Sequence, residues 1–102
     1  VNPEPLLQLD RVIHEKGRLG IMSLLAASEE LPFTEMREML GMTDGNLTTH
    51  MRTLQEAGYV AVTKTFQKGR ALTTFSLTPL GREAFAKYID LLEVIVRQSK
   101  KK

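Results

Sequence analysis

Apolar residues recur along the chain at two different periods, and the change between them divides it. Leu6, Leu9, Val12 and Ile13 stand at helical spacing near the N-terminus, and RLGIMSLLAAS predicts a second helix from about Arg18 to Ser28. Gly17 and Gly20 interrupt the junction between them. ELPF predicts a short extended connector, because Pro32 biases Leu31 away from helical geometry. Thr34 is placed to cap a short helix, with Glu35 in its first turn, Met36, Met39 and Leu40 facing inward and Gly41 as the stop. Thr43 is the natural N-cap of the next helix. Leu47, Met51 and Leu54, spaced i, i+4, i+7, define its buried stripe, and Gly58 ends it.

From Tyr59 the period becomes two. YVAVTKTF and LTTFSL have strand composition, and QKGRA between them carries the turn glycine Gly69. Thr78-Pro79, an N-cap followed by proline at the first helical position, opens a last helix that runs to about Gln98. The predicted order is helix, helix, helix, helix, hairpin, helix. This is a mainly α chain with a small β-hairpin wing (α+β), a winged helix-turn-helix. A single domain is expected over residues 1–102, with the helix-turn-helix at about 34–58, the wing at 59–77 and a C-terminal dimerisation helix at 78–98.

The helix that begins TDGNLTTH uses poor helix formers where leucine, alanine or glutamate would be more stable. With Leu47, Met51 and Leu54 turned to the core, Gly45, Thr49, Arg52 and Glu56 point outward, flanked by Asn46 and Thr53 on one side and Thr48 on the other. Capping accounts for Thr43 and helps explain Asp44, but not for Thr48, Thr49 and Thr53 inside the helix. A helix end that enters a DNA major groove needs little bulk, hydroxyls and an amide for base edges or phosphates, and a positive N-terminus. The candidate DNA-binding residues of this recognition helix are Thr43, Gly45, Asn46, Thr48, Thr49, His50, Arg52 and Thr53. In the hairpin the only charged residues are Lys64, Lys68 and Arg70, all positive around a glycine turn, as a wing touching the DNA backbone would require. Solubility alone could also place charge at a hairpin tip.

Charge distribution adds to this picture. The net charge of +2 conceals a balance of −3 over residues 1–42, +2 over 43–81 and +3 over 82–102. The positive later part suits a polyanionic partner, although the terminal SKKK reads as a solvated tail. The last helix also carries more apolar residues than one small core should need: Phe85, Tyr88, Ile89, Leu92, Val94, Ile95 and Val96, with Leu6, Leu7 and Leu9 at the other terminus. A two-fold homodimer is expected, its interface drawn from Leu6, Leu9, Phe85, Tyr88, Ile89, Leu92, Ile95 and Val96. The alternative is a long helix that folds back within one protomer.

GNLTTHMRTLQEAGYV followed by LTPLGREAF resembles the small winged-helix transcriptional regulators related to MarR and ArsR. The match falls on Asn46, Leu47, Thr48, His50, Met51, Leu54, Glu56, Ala57, Gly58, Tyr59 and Val60, and RVIHEKGRLGIMSLLA resembles the family's opening helices. The resemblance spans Leu9 to Val96. It implies a homodimer that binds operator DNA, usually as a repressor, and a phosphate-binding or structural role for His50. The metal-binding cysteines of many ArsR-type sensors are absent here, which speaks against a soft-metal effector.

Other chemistries find little support. Without cysteine there is no thiolate zinc site, disulfide or thiol sensor, which is compatible with a cytoplasmic protein. No apolar run has the length of a membrane span, and no signal pattern opens the chain. His14 reads as structural, and the spacing of His14 and His50 fits no usual metal motif. No nucleophile–base grouping is readable, GRLG and KGRA lack phosphate-loop spacing, and the methionines read as packing. The expectation is a non-enzyme with no cofactor and no membrane partner. Any small-molecule effector, whose identity the sequence does not reveal, would have to lodge between helices at the dimer interface. The rival reading is a winged-helix protein–protein module without DNA binding, which an acidic or apolar outward helix face would have favoured.

Overall fold

The computed structural model describes residues 2–100. The elements run α1 (Glu4–Leu7), α2 (Lys16–Ala26), β1 (Leu31–Pro32), α3 (Phe33–Leu40), α4 (Asp44–Glu56), β2 (Val60–Gln67), β3 (Arg70–Leu77) and α5 (Pro79–Lys100). The antiparallel sheet has the order β1-β3-β2, with Leu31 opposite Phe75 and Val60 opposite Leu77. One core joins α2, α3 and α4 to the base of the sheet and the first half of α5. At its centre Ile13, Ile21, Met22, Leu25, Met36, Leu47 and Leu54 are wholly buried. Among the described residues no helix is long and apolar enough to cross a membrane.

Four expectations are corrected. The apolar run through Ile13 is not one helix, because Asp10 competes for its backbone. Asp10 Oδ1 accepts from the N–H groups of Val12 (2.8 Å) and Ile13 (3.2 Å), ending the helix early while Leu9 and Ile13 still enter the core. The connector at Leu31–Pro32 is extended as Pro32 requires, but it also pairs with β3 and makes the sheet three-stranded. That pairing leads the chain directly into α3 with Pro32 as the N-cap residue, so Thr34 lies within the first turn and no side chain caps the helix. Met39 is 56% exposed, because this short helix buries its i, i+4 row of Met36 and Leu40 while Met39 falls off its edge.

The later part follows the pattern. Thr43 caps α4 and Gly41 closes α3 in the left-handed conformation. Lys68 and Gly69 both have positive φ (52° and 75°), the geometry of a type I′ hairpin turn, whose twist matches that of the paired strands. Thr78 Oγ1 accepts the Gly81 N–H at 2.9 Å and donates to the Gly58 carbonyl at 2.6 Å, so one side chain caps α5 and ties it to the end of α4.

At Gly81 the helix lies against the backbone of Tyr59. A Cβ there would sit 2.1 Å from the Tyr59 carbonyl oxygen, and backbone cannot swing aside. Gly81→Ala is therefore expected to destabilise the fold by about 3 kcal/mol or more. Gly45→Ala, where a Cβ meets nothing within 4 Å, should leave stability unchanged or raise it by about 0.5 kcal/mol. Urea unfolding of the two variants checks the contrast, and equal midpoints would disprove the close contact.

Candidate nucleic-acid interface

The rotation of α4 about its axis is fixed by Leu47, Met51 and Leu54, each at most 2% exposed. Gly45, Asn46, Thr48, Thr49 and Arg52 are consequently exposed on the other side. Two of the polar residues have local duties. Thr43 Oγ1 accepts the Asn46 N–H at 3.1 Å, and the half-buried Thr53 donates to the Thr49 carbonyl at 3.3 Å. Among the described residues Thr48 and the Thr49 hydroxyl make no side-chain hydrogen bond, and their helical cost stays without a structural return.

His50 does not share this face. Its ring lies over the start of α2, where a Cβ on Gly17 would come within 2.7 Å of Nε2, so glycine makes the room. Arg18 Nη1 stands 3.3 Å from His50 Nδ1 and Glu15 Oε1 stands 3.6 Å from it. The neutral ring can accept from Arg18, and a protonated ring faces the Glu15 carboxylate. His14 is turned elsewhere, its Nδ1 hydrogen-bonded with the buried Tyr88 hydroxyl at 2.8 Å. Burial pushes the Tyr88 hydroxyl pKa up, which keeps the proton in that bond. The sequence pattern gave no sign of Arg37, whose guanidinium donates to Asp44 Oδ1 at 2.6 Å and ties α3 to the first residue of α4. The bond to Asp44 raises the Arg37 pKa further.

The hairpin stands beside α4. Between them lies a groove of 330 Å³ with an apolar floor that includes Phe33, Met51 and Phe75. Thr48 and Gln55 of α4 and Lys64 and Thr73 of the hairpin line it as well. Lys68 and Arg70 lie beyond it, exposed at the turn. Gln55 and Thr73 were not among the sequence candidates. Gln55 is ordinary helix composition and Thr73 ordinary strand composition, and only the packing of the two elements brings them together.

Residues 18–96 match the winged helix DNA-binding domain. The chain belongs to this family. An uncharacterized protein of Methanocaldococcus jannaschii is 38% identical over 79 residues, covering 78% of this chain and 86% of that protein. A transcriptional regulator homologue from Pyrococcus horikoshii OT3 superimposes with a TM-score of 0.90 at 27% identity, over 96% of this chain and 99% of that one. The YusO protein of Bacillus subtilis shares the fold with a TM-score of 0.80 at 19% identity, over 96% of this chain and 69% of its own. The winged-helix match begins at Arg18 and leaves α1 outside it.

In this winged-helix domain the floor beneath His50 depends on Glu15. Its carboxylate caps α2, accepting the Arg18 N–H at 2.8 Å. That bond, with the Gly17 N–H and the charges of His50 and Arg18, holds its pKa below the usual 4.5 against the opposing effect of burial. Stability from a lowered carboxylate pKa is present above 4.5 and lost as pH falls through the folded-state value. The melting temperature of the native chain is therefore expected to drop more steeply below pH 4.5 than that of Glu15→Gln. Parallel curves would show that Glu15 does not cap α2 in solution.

Proposed function

We propose that this protein is a sequence-specific double-stranded DNA-binding transcriptional regulator that acts as a homodimer and represses its target, rather than an enzyme. One observation carries the reading. The exposed N-terminal half of α4 presents glycine and small polar groups, its one carboxylate, Asp44, being paired with Arg37, and across the adjoining groove the charged residues of the hairpin are all positive. In this reading Gly45 lets the helix approach the major groove closely, while Asn46, Thr48, Thr49 and Arg52 address base edges or phosphates. Thr43, which caps the helix, and Thr53, which bonds back to the Thr49 carbonyl, contribute at the margin. His50 works indirectly, by seating α4 on α2. Lys64, Lys68 and Arg70 meet the backbone, where contacts position the protein without reading sequence.

Dimerisation is supported by the far end of the molecule. The second half of α5 reaches beyond the core and packs with α1, where Asn2 N donates to Gln98 Oε1 at 2.9 Å. Leu6 and Leu7 are 54% and 79% exposed, and Val94 and Val96 are also exposed. Ile89, Leu92 and Ile95 are partly covered, as is Phe85, whereas Leu9 and Tyr88 are used within the protomer's own core and are unavailable to a partner. A dimer built on this face would set two copies of α4 about 34 Å apart, one turn of DNA.

The two DNA-facing elements should separate in a salt-dependent anisotropy titration. Replacing both Lys68 and Arg70 with alanine removes four charges per dimer, which should flatten the log–log salt slope by roughly 3–4 if all four meet phosphates. Replacing Asn46 or Thr49 should instead cost about 1–3 kcal/mol at particular base pairs and little elsewhere. An unchanged slope would take the wing off the DNA, and uniform losses would make α4 a positioning helix only. Sedimentation at micromolar concentration should show a dimer that Leu6→Asp combined with Val96→Asp converts to a folded monomer. A native chain already monomeric would end the dimer reading.

A further inference from the structure

Phe66, near the tip of the hairpin, is 79% exposed. The strand register assigns it a side. Val60, Val62, Lys64 and Phe66 alternate onto one face of β2, opposite Leu77, Phe75, Thr73 and Ala71 of β3. At the base this face is core. At mid-length its Val62, Lys64, Thr73 and Phe75 form one wall of the groove whose other wall belongs to α4. Phe66 continues the same row past the mouth of that groove. It therefore looks toward the space that any body held against α4 must enter, and its cross-strand neighbour Ala71 is too small to cover it.

An exposed phenylalanine leaves a large apolar surface in water, and strand propensity does not demand one here, since Thr63 and Thr65 of the same strand meet that need. The surroundings indicate what covers it. No acidic residue occurs between Glu56 and Glu83, while Lys64, Lys68 and Arg70 flank the ring in sequence. An exposed apolar side chain whose charged neighbours along the hairpin are all positive suits a polyanion that alternates phosphates with apolar rings. A second wing is unsuited, because like charges would meet.

We propose that Phe66 packs against the deoxyribose wall of the minor groove beside the major groove occupied by α4. The proposal rests on the DNA-binding reading and adds a contact that its charged residues do not supply. Burying a ring displaces water and no counterions, so this contribution to affinity is independent of salt, unlike that of Lys68 and Arg70.

The test uses the full chain and a fluorescein-labelled duplex of mixed sequence at several salt concentrations. Phe66→Thr keeps strand propensity and should weaken binding about tenfold, with the log–log slope and the melting temperature unchanged. Phe66→Leu should retain most of the affinity. Phe66 replaced by p-benzoylphenylalanine should crosslink to the duplex on illumination, a readout that does not depend on the threonine variant folding. Unaltered affinity in Phe66→Thr, a changed slope, or no crosslink under conditions where the native chain binds would overturn the assignment of Phe66 alone. A native chain that does not bind the duplex would overturn the DNA-binding reading and this inference together. Loss of self-association with DNA affinity retained would move Phe66 to a protein interface and also overturn it.

Discussion

The orientation of α4 is set by three side chains. Leu47, Met51 and Leu54 each gain about 2 kcal/mol from burial, and no other stripe on this polar helix could replace them. A shift of the stripe by one residue would turn the helix by about 100° and carry Asn46 and His50, or Arg52 and Gln55, into the core. The face presented to a ligand is thus a by-product of where the helix hides its apolar groups. Small polar residues can occupy that face, despite their low helical propensity, because the stripe stabilises the helix from the other side.

The remaining contacts hold the ends of that helix. At its start Thr43 caps it and Arg37 reaches Asp44 from α3. In the middle His50 rests over Gly17, beside Glu15 and Arg18. At its exit Tyr59 donates a hydrogen bond to Asp10, and the Tyr59 carbonyl accepts the Thr78 N–H at 3.0 Å. Burial, the bond to Asp10 and the charge of Asp10 push the Tyr59 pKa up to about 12, so the phenol stays a donor throughout the neutral range. Residues 10–18, which are largely irregular before α2 begins, therefore touch α4, its exit and α5 in turn. They form a strap across the elements that position the helix.

Much of this was legible in the sequence because periodicity reports burial directly. The α4 stripe, its Thr43 cap, the hairpin with its turn and the Thr78-Pro79 start each follow from residues close together in the chain. What escaped depends on partners distant in sequence. The early end of α1 comes from a single Asp10 side chain that periodicity does not register. The strand at Leu31–Pro32 exists only because β3 passes beside it, and two residues carry no alternation. His50 sits on the flank of the buried stripe, where the sequence predicts a DNA-binding role, and only the room left by Gly17 places its ring over α2. Leu9 and Tyr88 read as surplus apolar surface, but a chain this small uses them at home.

The exposure of the outer face of α4 has a consequence for how such a domain changes over time. Asn46, Thr48, Thr49 and Arg52 lie outside the core, and their side chains form none of the ties that hold the helix in place. Substitution there is nearly free of folding penalty, so mutation can explore that surface while the scaffold persists. Gly81 and the buried stripe have no such latitude, since Gly81 faces backbone that cannot yield and the stripe fills the core. Freedom to vary and conservation of shape fall to different residues of one thirteen-residue helix and its supports, so a lineage can alter what this face presents without first rebuilding the fold.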